Sequence, residues 1–172
     1  MTKLAGMVAL SLLAVFVCGC ILVGVFVSAD APQQPVEFDH SLHVSNADGP
    51  QLDCAFCHEH ADKSSRATIP NSATCMGCHE SVKPDSPEIQ KLAAYYERHE
   101  QPPWVRVYYI EKSADVYFTH KPHVAAGLDC AECHGQVEQM HRVRREVNQS
   151  MGWCVDCHRQ RNANTDCYVC HR

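Results

Sequence analysis

The pattern C-x-x-C-H occurs five times in this 172-residue chain, and no other feature limits its fold so strongly. The copies are Cys54-Cys57-His58, Cys75-Cys78-His79, Cys130-Cys133-His134, Cys154-Cys157-His158 and Cys167-Cys170-His171. With 12 Cys and 12 His in the chain, chance would give on the order of 0.06 matches, so the repetition carries chemistry. The ten cysteines involved are all of those beyond the first thirty residues, and none is left over for a disulfide framework. Two thiols three positions apart on a helical turn reach both vinyl groups of one porphyrin as thioethers. The adjacent histidine then sets its imidazole beneath the iron as proximal ligand. Zinc is the natural rival, because C-x-x-C pairs also build tetrahedral sites, but zinc has no need of a histidine after every second cysteine. A thioredoxin-like redox pair would occur once, beside an alternating βαβ pattern. The spacing therefore predicts five covalently bound haem c groups.

Each iron has a second axial position to fill. Seven histidines lie outside the motifs: His40, His43, His60, His99, His120, His123 and His141. The pairs His40/His43 and His120/His123 have H-x-x-H spacing, so two imidazoles on one helical turn can serve two different irons. These four are the expected distal ligands. One iron remains, for which His60, His99 and His141 are weaker candidates, Met140 or Met151 offers a thioether, and an open position is the last option.

The chain repeats itself. Phe38-Asp39-His40-Ser41-Leu42-His43-Val44 precedes the first motif, and Phe118-Thr119-His120-Lys121-Pro122-His123-Val124 precedes the third. Each half then carries another motif about two dozen residues on. This predicts two duplicated two-haem modules, about 36–85 and 116–160, plus a terminal site over 161–172. Between the modules, Ser86-Pro87 reads as a helix start. Ile89, Leu92, Ala93 and Tyr96 follow on one face, and Pro102-Pro103 closes the helix. Trp104 to Ile110 reads as extended and aromatic-rich, suited to packing against the cofactors or to docking.

Residues 1–30 read differently from the rest. Leu4 to Val27 is an uncharged apolar run of 24 residues, long enough to cross a bilayer as one helix. A secretory signal ending at Val27-Ser28-Ala29 is the alternative, but its apolar stretch is usually shorter. Lys3 favours the cytoplasmic side for the start, which puts residues 31–172 on the outer, periplasmic face of a bacterial cytoplasmic membrane. Cys18 and Cys20 fall inside the run as apolar helix residues, with lipid attachment the alternative. The exported part offers about 28 residues per haem, too few for an ordinary protein core. Short helices and loops wrapped around five porphyrins, with little β structure, are the predicted fold, and without haem it should not form. The formal charge of −5 argues against nucleic acid. Arg142, Arg144, Arg145, Arg159, Arg161 and Arg172 are candidates to pair with haem propionates.

Features that haem attachment does not require carry a resemblance. They are Ile69-Pro70 before Thr74-Cys75-Met76-Gly77-Cys78-His79, Pro103-Trp104-Val105-Arg106-Val107, and Val116-Tyr117-Phe118-Thr119-His120. They continue with Gly135-Gln136-Val137-Glu138-Gln139-Met140 and Met151-Gly152-Trp153-Cys154. With the single anchor and Phe38 to His43, the chain resembles the membrane-anchored pentahaem cytochrome c subunit of alternative complex III, a bacterial quinol-oxidising complex of respiratory or photosynthetic chains. It is similar also to the multihaem subunit of the related quinone-reductase complexes. The resemblance implies an electron-transfer subunit without catalytic residues of its own. Its partners would be an iron–sulfur protein and quinone-binding membrane subunits, and its acceptor a small periplasmic cytochrome or copper protein. It also implies four bis-histidine haems and one histidine–methionine haem, with Met140 preferred over Met151. The competing functions are a multihaem reductase with an open iron and a stand-alone anchored quinol dehydrogenase.

Overall fold

The computed structural model describes residues 31–171. The apolar anchor expected over 1–30, with Cys18 and Cys20, lies outside these residues, as does Arg172. Among the described residues no helix is long and apolar enough to cross a membrane.

The elements are short. They run α1 (His40–Val44), α2 (Cys54–Cys57), α3 (Ser72–His79), α4 (Pro87–Glu97), α5 (His120–Ala125), α6 (Cys130–His134), α7 (Met151–Gln160) and α8 (Cys167–Cys170), with 3₁₀ turns at Lys112–Ala114 and Val137–Gln139. Among the described residues there is no strand, and an isolated bridge pairs Val116 with His171. This is the helix-and-loop class that the spacing predicts.

Helices of one or two turns are unstable alone, so local caps decide where they start. Asp53 accepts from Ala55 N–H (2.9 Å), Asn71 from Thr74 N–H (2.9 Å), Asp129 from Ala131 N–H (2.8 Å) and Ser150 from Trp153 N–H (3.3 Å). Asp129 completes a capping box with Glu132. Four attachment motifs thus sit on helices whose start the preceding polar residue sets, with both thiols one turn apart.

The helix α4 begins at Pro87 as expected but closes ahead of Pro102-Pro103. His99 takes φ 56°, and Glu100 N–H donates to Tyr95 O (2.9 Å) in a Schellman-type ending. Tertiary bonds hold the chain there: Ser72 N–H donates to Gln101 Oε1 (2.9 Å) and Ser72 Oγ to Glu100 O (3.2 Å). Its packed face is also rotated from the expected one. Leu92, Ala93 and Tyr95 meet Val36, Met76 and Trp104, while Tyr96 is exposed. The segment after Trp104 forms no strand. Gln34 instead grips Val105 through both backbone groups at 2.9 Å each.

Among the described residues, Val36, Met76, Leu92 and Met140 are the buried hydrophobic side chains. A domain of this size held by its own side chains buries far more. So few buried side chains agree with the expectation that the polypeptide alone forms no ordinary core.

Candidate cofactor-attachment sites

The five motifs are numbered here as sites 1 to 5 in chain order. The duplicated unit recurs in three dimensions. Phe38 meets His40 edge-on (4.8 Å) and lies against His43 (4.4 Å), and Phe118 does the same to His120 (4.9 Å) and His123 (4.9 Å). Leu52 N–H donates to His43 O (2.8 Å) and Leu128 N–H to His123 O (3.3 Å), so each H-x-x-H turn is tied to the motif that follows it. The aromatic residue ahead of each histidine pair fixes both rings. Its role was legible only as a repeated letter.

Histidine orientation is set by backbone acceptors. His58 Nδ1–H donates to Thr68 O (2.6 Å), His79 to Val82 O (2.9 Å), His158 to Asn164 O (2.6 Å) and His171 to Ala114 O (3.1 Å). On the distal side, His43 Nδ1–H donates to Asp39 O, His120 to Ser65 O and His123 to Thr119 O, each at 2.8 Å. A carbonyl only accepts, so Nδ1 holds the proton and Nε2 keeps its lone pair for a metal. The acceptors Thr68 and Ser65 lie in the loop after site 1, a contribution that motif spacing does not reveal.

The rings then pair across the two histidine classes. His43 faces His79 with ring centroids 5.9 Å apart, His120 faces His134 at 6.2 Å and His123 faces His158 at 6.0 Å. Two imidazoles binding one first-row metal ion from opposite sides, with each metal–nitrogen bond about 2 Å, have centroids about 6 Å apart. His40 completes the set beside His58. Burial, then the nearby His58 and His43, push its pKa down to about 4. His134 is likewise lowered to about 4, first by burial and then by His120 and His58. Each H-x-x-H turn therefore spans two sites, one for each imidazole.

Each ring pair brings two nitrogen donors and no more. Among the described residues no group of three or more His, Cys, Asp or Glu converges as a bare metal ion would require. Two trans imidazoles with a pair of free thiols alongside fit a macrocycle that itself supplies four in-plane nitrogens. The donor set thus fits haem c. Cys54/Cys57, Cys75/Cys78, Cys130/Cys133, Cys154/Cys157 and Cys167/Cys170 would hold it, and it supplies a one-electron iron couple.

The cysteines also report which sites adjoin. Burial raises the free Cys54 thiol, and the Cys130 thiol hydrogen-bonded beside it adds to the rise. Burial likewise raises Cys75, helped by Cys57; it raises Cys133, helped by Cys157; and it raises Cys154, helped by Cys170. In space the sites follow the order 2–1–3–4–5. Hydrogen bonds between the segments agree. Lys121 N–H donates to Ser64 O (3.2 Å), Gln149 Nε2 donates to Cys133 O (2.8 Å), and Tyr117 N–H donates to Cys170 O (2.7 Å).

The remaining candidates are placed less centrally. His60 bonds Thr68 Oγ1 (3.2 Å), His99 lies at the exposed end of α4, and His141 is held by Asp39 (2.5 Å). Burial pushes Asp39 up, but hydrogen bonds from His141, Ser41 and Leu42 N–H outweigh it and hold the carboxyl below its usual value. Met140 is buried beneath α1, its carbonyl accepting from His40 N–H (3.1 Å) and Ser41 N–H (3.3 Å). Met151 is exposed at the start of α7, one turn before Cys154. Tyr108, which motif reading passed over, meets His134 edge-on (4.6 Å) and donates to its carbonyl (2.8 Å).

Residues 116–172 match the family of cytochrome c7 and related cytochrome c. The chain is also similar to the menaquinone reductase multihaem cytochrome c subunit of Nitratidesulfovibrio vulgaris, at 26% identity over 81% of this chain and 77% of that protein. The matched stretch carries three of the five C-x-x-C-H motifs, those at Cys130, Cys154 and Cys167.

Proposed function

We propose that the chain is the electron-transfer subunit of a membrane-bound quinol–quinone oxidoreductase, holding five haem c groups on the outer face of a bacterial cytoplasmic membrane through the apolar anchor 4–27. The observation that carries this reading is the crosswise pairing of His43, His120 and His123 with His79, His134 and His158 at spacings that suit one iron each, with His40 lying near His58. Two strong-field imidazoles leave no open position for a substrate, so these residues hold a redox couple rather than a reaction centre. Carbonyl partners hold His43, His58, His79, His120, His123 and His158 in orientation. The alternative complex III reading rests on the resemblance of the exported region. Electrons would then pass from quinol through an iron–sulfur partner to a small periplasmic cytochrome or copper protein. The similarity to a menaquinone reductase subunit favours a second reading, the same relay run toward quinone.

For site 5 the histidine–methionine pair remains the proposal, with Met140 preferred from the sequence and Met151 its rival: Met151 is exposed one turn before Cys154, and Met140 is buried beneath α1.

Mass spectrometry should find five haem increments on the purified chain, and isolation in mild detergent should bring an iron–sulfur subunit with it. A lone quinol-active polypeptide would sink the complex-subunit reading. Carbon monoxide added to reduced protein should leave all five haems unchanged. Met140→Ala should open the fifth to it and abolish the near-infrared band of ferric thioether ligation; if Met151→Ala does so instead, the methionines exchange roles.

A further inference from the structure

Of the arginines that flank the second module, most are already spoken for. Arg142 is paired with Glu37 (2.8 Å), Arg144 with Glu146 (2.5 Å), Arg159 with Asp156 (3.6 Å) and Arg161 with Glu132. Arg145 makes no such pair. Its guanidinium lies over the rings of Tyr108 (5.6 Å) and Tyr109 (5.0 Å), and one terminal nitrogen donates to Tyr109 O (2.8 Å). Its Nε is buried and has no hydrogen-bond partner. The adjacent carboxylate, Glu146, is taken by Arg144 and by Gln136 N–H (3.1 Å).

A buried donor on a cation, left without an acceptor, costs several times a neutral hydrogen bond, so the site calls for an anion. The neighbourhood names the class. The ring that Arg145 covers, Tyr108, is the one packed edge-on against His134 and bonded to its carbonyl. On the reading of the sites as haem-bearing, the acidic groups that come with the cofactor at site 3 are its carboxylate side chains.

We propose that Arg145 is the anchor for a haem propionate at site 3, and that its fixed charge sets the potential of that haem. Tyr108 and Tyr109 hold the guanidinium plane, so the unpaired Nε–H and the remaining terminal N–H present a two-pronged donor to a carboxylate. A cation at that point favours the reduced iron, which carries one positive charge fewer. It also holds the propionate ionised across the physiological range.

The test is a redox titration of the full haem-loaded chain, monitored by electron paramagnetic resonance and repeated at several pH values. The near-parallel His120 and His134 rings (7°) give site 3 a low-spin signal distinct from that of the crossed His43 and His79 rings (66°). Arg145→Gln should lower the midpoint of the site 3 signal alone and steepen its dependence on pH, because the propionate then titrates with the iron. Arg145→Lys should restore most of the midpoint. Arg98→Gln, which removes an exposed charge paired with Glu100 at the end of α4, should leave all five midpoints where they were. The proposal is overturned if Arg145→Gln leaves site 3 unchanged, if all five signals move together, or if the lysine variant shifts as far as the glutamine one. Should the glutamine variant not load five haems, the wild-type titration decides: a site 3 midpoint that stays flat across the physiological pH range supports the assignment, and one that moves with pH overturns it. A wild-type chain with no haem mass would defeat the underlying reading instead.

Discussion

A histidine that gives its Nδ1 proton to a carbonyl has only Nε2 left for a metal, and at His43 that carbonyl belongs to Asp39, four residues back on the same turn. The ligand is therefore pre-oriented by its own helix, and its loss should have a local effect. His43→Ala should convert the haem at site 2 to high spin and open it to carbon monoxide, leaving the other four spectra in place; His40→Ala should do the same at site 1. If either variant opens both sites, the crosswise assignment is wrong. Protonation acts on the same atoms. His40 and His134 are lowered to about 4, chiefly by burial, against 6.5 in the unfolded chain. Between those values the unfolded chain takes up protons that the folded chain refuses. Stability is thus fully present above pH 6.5 and falls as the pH drops toward 4. Ligation adds to this in the same direction, because iron binds the neutral imidazole. Acid titration followed in the Soret region should show low-spin ligation lost on the acid side, with no matching transition between pH 7 and 9.

At the scale of the element, each attachment helix depends on how it starts and how it stops. The starts were set locally, Asp53, Asn71, Asp129 and Ser150 acting on N–H groups two or three residues away, though only Ser86-Pro87 was read as a start from the sequence. The end of α6 was not set locally. Gly135 follows His134 with φ +71°, and a Cβ there would run into the Glu146 side chain, eleven residues on. Gly135→Ala should therefore cost more than about 1 kcal/mol in a denaturant titration of the haem-loaded chain. The same substitution at Gly77, where a Cβ meets nothing within 4 Å, should be neutral or mildly stabilising. Equal effects would mean that the Glu146 approach is not rigid. The rotated face of α4 teaches the same lesson. Periodicity placed Leu92 and Ala93 inward correctly, but contact with Val36 and Trp104 drew in Tyr95 in place of Tyr96.

For the whole molecule, four buried hydrophobic side chains among the described residues cannot offset the conformational entropy of ordering some 140 residues. Expressed without haem attachment, the exported part should show little helical circular dichroism and no cooperative thermal transition. A folded apo-chain would overturn the view that the cofactors form the interior. The spatial order 2–1–3–4–5 also follows from assembly of the whole. The thiols of the first motif neighbour those of the second and third, and the fourth motif neighbours the third and fifth.

The sequence by itself offered the candidate attachment sites and ligands, the repeated F-x-H-x-x-H pattern and one helix start, at Pro87. All of these are relations among residues within about a turn of one another, where spacing is geometry. Only the tertiary structure decided which distal imidazole faces which proximal one, which sites adjoin, where α4 ends and which arginine is left without a carboxylate. Those outcomes join residues far apart in the chain, such as His120 with Ser65 or Gln34 with Val105. They depend on how short, weakly stable helices are drawn around a common interior, which no local pattern records.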